Sequence, residues 1–401
     1  MKERKAVTRE TTRRYCRAQR RVKTLMLNEF IKVTKLNRKY AIQLLNGTLL
    51  SPPPRGGAEK PRGRPALYDQ SVLSTLKRLW ALFGLMCGKR LAPAIRANLA
   101  VLEKFQELKG ISEHTRQRLL RISPATIDRL LTQERKNMRL KGRSHTRAGS
   151  LRKSQIPIRT FGEADQKVPG YVEVDLVAHD GGSGGGEFAQ TLTLTDVDTG
   201  WTEMQAVQNK AQKWVFPAIK LLVSLLPFVL KGLNADNGGE FININLLTWC
   251  QLSHVAFTRS RPYRKNDNAH VEQKNNSAVR TAVGYLRYDT QEELRLLNQI
   301  YAQLRLLLNF FYPSMKLMEK TRIGARVKKR YDVPKTPYQR VLDSPHIQKA
   351  DKARLRKQFS RLNPAAITRT LVSLQNQLIK KASLKQRLLD EQRRSALVAA
   401  G

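Results

Sequence analysis

Cysteine is scarce: three residues in 401, at positions 16, 87 and 250, with no CxxC pair. That excludes a disulfide framework and a four-thiolate metal centre, and fits a reducing cytosol. No apolar run reaches the ~18 residues a bilayer-spanning helix needs. The N-terminal stretch MKERKAVTRETTRRYCR has no apolar h-region, so it does not read as a secretory signal. Acid is the other shortage, with 32 Asp plus Glu against 74 Lys plus Arg and a formal net charge of +42. Such an excess calls for a polyanion. Nucleic acid is the expected one, because each neutralised phosphate releases condensed counterions. An acidic membrane surface is the weaker rival. Hydrophobic residues still make up 41% of the chain, which excludes wholesale disorder. No internal repeat or long heptad pattern is present.

The charge is unevenly spread. Basic residues outnumber acidic ones 18 to 4 over residues 1–65 and 23 to 6 over 301–401, but acids lead 11 to 5 over 163–240. An acidic island inside a basic chain suggests carboxylates gathered where a hard cation is held beside a polyanion.

The periodicity divides the chain into six parts. Residues 1–50 read as a basic helical DNA-binding region. One helix covers 8–22 and a second runs from 25 to about 33. After a short turn, Asn37 caps a third helix over 38–45. With Arg38 and Lys39 opening that last helix, the arrangement suggests a helix-turn-helix that reads DNA. Residues 51–65, SPPPRGGAEKPRGRP, form a Pro/Gly-rich basic linker. Within it Pro61-Arg62-Gly63-Arg64-Pro65 looks like an AT-hook core, with Arg62 and Arg64 suited to a narrow minor groove. Residues 66–140 form a second helical DNA-binding region, in which Ser123 and Pro124 mark a helix start. Residues 141–167 are another basic linker. Residues 168–290 are the α/β core, and 291–401 a basic, mostly helical C-terminal region in which Asn363 and Pro364 open a helix.

In the core the period changes from helical to alternating. Strands are expected over 171–177, 188–195 and 202–207 as an antiparallel meander. A helix follows over 213–226, a fourth strand over 228–235, a helix over 245–252, a fifth strand over 254–258 and a long helix over 268–283. The order is βββαβαβα. DGGSGGG at 180–186 reads as a flexible turn without an assignable role.

Three carboxylates fall at element ends in this block. Asp175 lies within the first strand, Asp236 closes the fourth, and Glu272 sits in the first turns of the last helix, with 35 residues between it and Asp236. An Asp inside an apolar strand is costly unless its charge is paired or metal-bound. If the first and fourth strands are neighbours, Asp175 and Asp236 point into one space, and a helix crossing that edge delivers Glu272. Three carboxylates then form an oxygen site for two Mg²⁺ ions roughly 3.5–4 Å apart.

This order of elements, with Asp175, Asp236-Asn237-Gly238, Glu240-Phe241 and Glu272, resembles the catalytic domain of the DDE transposase and retroviral integrase superfamily. The stretch Ser260-Arg261-Pro262-Tyr263-Arg264-Lys265-Asn266-Asp267-Asn268-Ala269-His270-Val271-Glu272 resembles bacterial insertion-sequence transposases of the integrase type. The resemblance implies an RNase H-like fold, with Asp175, Asp236 and Glu272 as catalytic metal ligands for two Mg²⁺ or Mn²⁺ ions per site. It implies nicking at the ends of a DNA element and attack of the freed 3′-OH on target DNA, by a homo-oligomer bound to double-stranded element ends and target, in a bacterial-type cytoplasm at the nucleoid. The His/His/Cys/Cys zinc module of retroviral integrases is missing, since no His precedes His114. Two alternatives stay open: an RNase H-like nuclease without strand transfer, and a helix-turn-helix regulator with an inactive core.

Arg261, Arg264 and Lys265, in the loop before Glu272, are expected at the DNA backbone, with Lys274 and Arg280 as further contacts. Asp196 and Asp198 read as turn residues beside Thr199-Gly200, Glu240 as loop support, Cys250 as core, and His254 and His270 as strand or cap residues.

Overall fold

The computed structural model describes residues 2–47, 67–137, 168–236, 238–260 and 268–399. Both linkers, and with them Arg62 and Arg64, lie outside the described residues, as do Arg261, Arg264 and Lys265. The chain divides into two compact units, Met1–Leu67 and Tyr68–Gly401.

The first unit contains α1 (Lys2–Arg17), α2 (Arg20–Thr34) and α3 (Arg38–Leu45). Tyr15, Leu27, Phe30, Ala41 and Leu45 form its small core. The expected helix over 8–22 is corrected here. The break falls at Ala18 and Gln19, with Gln19 extended (φ −71°, ψ 160°), and no Gly or Pro in the basic run marks it. The start of α3 follows the expectation: the Asn37 side chain accepts a hydrogen bond from the Lys39 amide at 3.0 Å. Arg38 and Lys39 are both exposed on its first turn.

The second unit opens with α4 (Gln70–Leu82), α5 (Gly88–Lys104), α6 (Glu113–Arg121), α7 (Pro124–Leu130) and α8 (Thr132–Asn137). Ser123 caps α7 through the Thr126 amide, with Pro124 at the first helical position. Next come β1 (Tyr171–Ala178), β2 (Gln190–Asp196), β3 (Thr202–Val207), α9 (Gln212–Ser224), β4 (Gly232–Ala235), α10 (Ile244–Leu252) and β5 (Ala256–Arg259). The five strands form one mixed sheet in the order β3-β2-β1-β4-β5. β1, β2 and β3 pair antiparallel, while β4 runs parallel to both β1 and β5. This α/β arrangement is compatible with an RNase H-like core.

Three strands start later than expected, the second at Gln190 rather than 188. The fourth strand starts at Gly232 rather than 228, because the apolar run before it packs without joining the ladder; Leu230 is buried while Val229 is 76% exposed. The fifth starts at Ala256, because His254 takes a left-handed backbone (φ 53°) at the end of α10.

The helix expected over 268–283 is broken in character: α11 (Ala269–Lys274), a π-helical turn (Asn275–Arg280) and α12 (Thr281–Val283). After it come α13 (Gln291–Leu306), a second π turn (Leu307–Phe311), β6 (Leu317–Ile323), β7 (Arg326–Tyr331), α14 (Pro337–Asp343), α15 (Lys349–Phe359) and α16 (Pro364–Ala399). The β6–β7 hairpin was not foreseen in a region read as mostly helical. One hydrophobic core runs from Val72 on α4 through the sheet to Leu378 and Ala382 on α16. Arg369 of α16 also grips the Glu107 carboxylate with two bonds of 2.8 Å. Among the described residues no helix is long and apolar enough to cross a membrane.

Candidate active site at the β1–β4 edge

Side chains two apart in a strand share a face, so β1 presents Glu173 and Asp175 together, and β4 presents Asn234 with Asp236 just past its end. The parallel register pairs Glu173 with Asn234 and Val174 with Ala235. Asp175 and Asp236 therefore lie one register step beyond the last paired residues of two adjacent strands. The condition set by the sequence, that the first and fourth strands be neighbours, is met.

The deeper pair builds the support. Glu173 is 4% exposed, and its Oε2 accepts the amide N–H groups of His270 and Val271, both at 2.9 Å. These are the second and third amides of α11, which a helix leaves without intrahelical acceptors. An acidic side chain there also complements the helix dipole. Asn234 Nδ2 donates to Asn268 Oδ1 at 2.6 Å, and Thr258 Oγ1 donates to Asn234 Oδ1 at 3.0 Å. Strands β1 and β4 thus both hold the start of the helix that carries Glu272.

The outer pair carries the charge. Asp175 is half-buried, and its Oδ1 accepts the Leu176 amide at 2.8 Å. Its Oδ2 accepts Asn275 Nδ2 at 2.7 Å. Burial pushes the Asp175 carboxyl up to about 7, and the nearby charges of Asp236, Glu272 and Glu240 push the same way. Asp236 is half-buried; its Oδ1 accepts the Gly238 amide at 2.8 Å, and burial raises its pKa. Burial takes Glu173 up to about 8 against the pull of its two amide donors, with Glu272 and Asp175 adding repulsion. The Glu272 side chain is exposed. Glu240 is half-buried, and its pKa is raised by burial and by the charge of Asp236.

Like charges held this close favour a bound cation or a proton. Among the described residues, no group of three or more His, Cys, Asp and Glu stands ready to hold a metal ion. The donor chemistry nevertheless suits a hard divalent cation: all the acids offer oxygen, and beside them Asn275 Oδ1 is buried without a hydrogen-bond partner. Asn275 lies three residues after Glu272, on the same side of the helix.

The remaining sequence candidates are dispersed. Lys274 is half-buried, and burial lowers it to about 8 with Arg90 and Arg340 nearby. Arg280 Nη2 donates to the Ala178 carbonyl at 2.7 Å, and its guanidinium lies 4.8 Å from the Tyr285 ring centre. Asp196 and Asp198 are turned away from the site into structural contacts; Asp198 pairs with Lys316 at 2.9 Å. Cys250 is fully buried. The Gly-rich turn is a socket for Arg287, whose guanidinium donates to the carbonyls of Ser183, Gly185 and Glu187 at 3.0, 2.8 and 3.0 Å. Gly181 has φ +63°, and a Cβ there would lie 2.7 Å from the Arg287 Cβ, which fixes glycine at that position.

Glu173, Asn234 and Asn275 were not singled out from the sequence. For Glu173 a signal existed: a second acid two residues before Asp175, on the same strand face. For Asn275 the signal was the single helical turn separating it from Glu272.

No family model matches the chain. Among solved structures, the catalytic core domain of BIV integrase aligns with TM-score 0.30 and 16% identity, covering 44% of this chain and 96% of that one. The uncharacterized protein y4rM of Sinorhizobium fredii (strain NBRC 101917 / NGR234) is 43% identical over 333 residues, spanning 82% of this chain and 92% of that protein. Sharing more than four residues in ten across most of both lengths, the chain belongs to the family of the uncharacterized protein y4rM.

Proposed function

We propose that this protein is a metal-dependent polynucleotidyl transferase of the DDE type, a transposase that binds the ends of a DNA element, cuts phosphodiester bonds there and joins the 3′-OH ends to target DNA. One observation supports the reading: Asp175 within β1 and Asp236 just past β4 follow the last paired residues of two adjacent parallel strands, close enough to each other and to Glu272 that the charges of Asp236 and Glu272 help raise the Asp175 pKa.

Asp175, Asp236 and Glu272 would hold Mg²⁺ or Mn²⁺, two ions per site. Such ions lower the pKa of an attacking water or 3′-hydroxyl and stabilise the leaving oxygen. Asn275 fixes the orientation of the Asp175 carboxylate through Nδ2. Glu173 and Asn234 hold the start of α11, and so the backbone that carries Glu272, against the sheet. Arg38 and Lys39, exposed at the start of α3, suit recognition of element ends. Arg62, Arg64, Arg261, Arg264 and Lys265 would meet phosphates. Lys274 is half-buried beside Arg90 and Arg340, and Arg280 is bonded to the Ala178 carbonyl, which makes them the weakest of the DNA-contact assignments. The active form would be a homo-oligomer on paired ends.

The test uses the full chain and a supercoiled plasmid that carries its gene with the flanking DNA, in Mg²⁺ or Mn²⁺. Joined product is expected from the native chain. Asp236→Asn is expected to lower it about a thousandfold, the equivalent of several kcal/mol of lost charge stabilisation, while duplex binding is kept. Undiminished joining by Asp236→Asn removes this residue from the chemistry. Nicked but never joined DNA identifies a nuclease.

A further inference from the structure

Among the described residues, the β6–β7 hairpin is the one element of the second unit with no buried or half-buried side chain. None of its residues enters the hydrophobic core. Every side chain described between Leu317 and Tyr331 is exposed. Leu317, Met318, Ile323, Val327 and Tyr331 are 44–71% exposed, so large apolar groups face solvent beside the charges. Residues 317–331 contain six Lys or Arg and one acid, Glu319; the Glu319 carboxylate takes a 2.8 Å bond from Thr321 Oγ1. A two-stranded ribbon alone is marginal in water.

Its root, by contrast, is firmly fixed. The Lys316 amide donates to Asp332 Oδ1 at 2.7 Å and the Asp332 amide to the Lys316 carbonyl at 3.0 Å. Asp332 pairs with Arg340 at 2.8 Å and Lys316 with Asp198 at 2.9 Å. Ser314 and Lys335 exchange backbone bonds below that. The root thus fixes where the ribbon leaves the fold, and both of its faces remain open.

Protection of an open sheet edge from pairing with another chain is one known use of charge on a ribbon. A few charges, Lys above all, suffice for that. Six bases to one acid is a charge of one sign, and it fits a polyanion. The dimensions agree: seven residues of strand span roughly 20 Å, and the major groove, about 12 Å wide, admits a two-stranded ribbon. Apolar side chains beside the bases suit the sugar edges and thymine methyl groups of that groove.

We propose that the β6–β7 ribbon is a DNA-gripping arm that enters the major groove of duplex DNA and supplies affinity without taking part in the chemistry. The proposal rests on the reading of the chain as a DNA-joining enzyme, yet it can be tested without catalysis. The probe is a fluorescently labelled 30-base-pair duplex of mixed sequence, titrated with the full chain in EDTA from 50 to 200 mM KCl. Three chains are compared: native, Lys328→Ala/Lys329→Ala/Arg330→Ala in the ribbon, and Arg356→Ala/Lys357→Ala/Arg361→Ala on α15 and just after it, which removes the same charge from another exposed surface. The ribbon variant is expected to bind at least tenfold more weakly at 100 mM KCl. Its log–log salt slope should be smaller by about 1–3, near 0.9 for each phosphate contact removed. The control should change less than threefold. Equal losses in both variants reduce the effect to net charge and overturn the proposal. So does unchanged affinity in a ribbon variant that unfolds at the native temperature, or a change confined to oligomeric state in sedimentation. Joining activity is scored separately: weakened binding by the ribbon variant of a chain that never joins DNA keeps the arm and removes the transposase.

Discussion

The central sheet holds buried acids in two places, and they are treated in opposite ways. On the β2–β3 side, Asp196 and Glu203 are both fully buried. Asp196 accepts the Thr199 amide and hydroxyl, each at 2.6 Å, and the Gly170 amide at 2.8 Å. Glu203 accepts Arg305 Nη2 at 2.6 Å and Trp201 Nε1 at 2.7 Å, and Arg305 Nε besides. At the β1–β4 edge, Asp175 and Asp236 are only half-buried, with few donors and with one another's charge for company. The first pair is satisfied inside the fold. The second is held in a state that protons or cations relieve. Burial alone does not mark a functional carboxylate; the shortage of donors around it does.

The largest effect separating the two sides is expected from Arg305→Ala, which strands Glu203 as an uncompensated buried charge. A loss of about 3–5 kcal/mol of stability is expected in urea unfolding, and no loss at all would erase the contrast. Glu173→Ala tests the active edge next. By freeing the start of α11 it is expected to lower the turnover of DNA joining about 10–100-fold, the range seen for outer residues that orient metal ligands. Duplex affinity should be unchanged and Glu173→Gln should restore part of the rate, since its amide oxygen can still accept. Equal loss of binding and turnover would make Glu173 merely structural. Third, Mn²⁺ at ten times its dissociation constant is expected to stabilise the native chain by about 1.4 kcal/mol. The rise in unfolding temperature should vanish in Asp175→Asn/Asp236→Asn and persist in Asp198→Asn.

The smallest effect concerns a third kind of acid. Glu107, near the surface, is held down to about 2 chiefly by its hydrogen bonds with Arg369. A lowered carboxylate pKa stabilises the fold above the unfolded value of 4.5 and loses that contribution as pH falls through about 2. Solvent screening keeps it below about 1 kcal/mol. The difference in urea midpoint between native chain and Glu107→Gln is therefore expected to shrink from pH 6 to pH 3; a difference that grows instead would contradict the pairing.

Much of the sheet was legible because its signals are local. The β-branched run at 171–177 and the glycines after Asp236 announce strand and turn without help from distant residues. Asn37, Ser123 and Asn363 announce helix starts through caps that reach only a few residues. Glu173, Asn234 and Arg287 were not legible, because what they do depends on partners 97, 34 and about 100 residues away in the chain. The β6–β7 ribbon was hidden for another reason. Gly324 and the β-formers around it are present, but the bases and apolar residues of LMEKTRI and RVKKRY do not alternate strictly, so the inside-outside pattern of a packed strand is missing.

The first turn of α11 is moored to two different strands, through Glu173 and through Asn234. A helix fixed at two points cannot slide toward the aspartates as a lid does. On the function proposed above, gathering of the acids around a ligand would then come mainly from rotation about the bonds of the Glu272 side chain, a three-torsion swing over a still scaffold. The waiting site and the loaded one should then share a backbone and differ mainly in where a single carboxylate points.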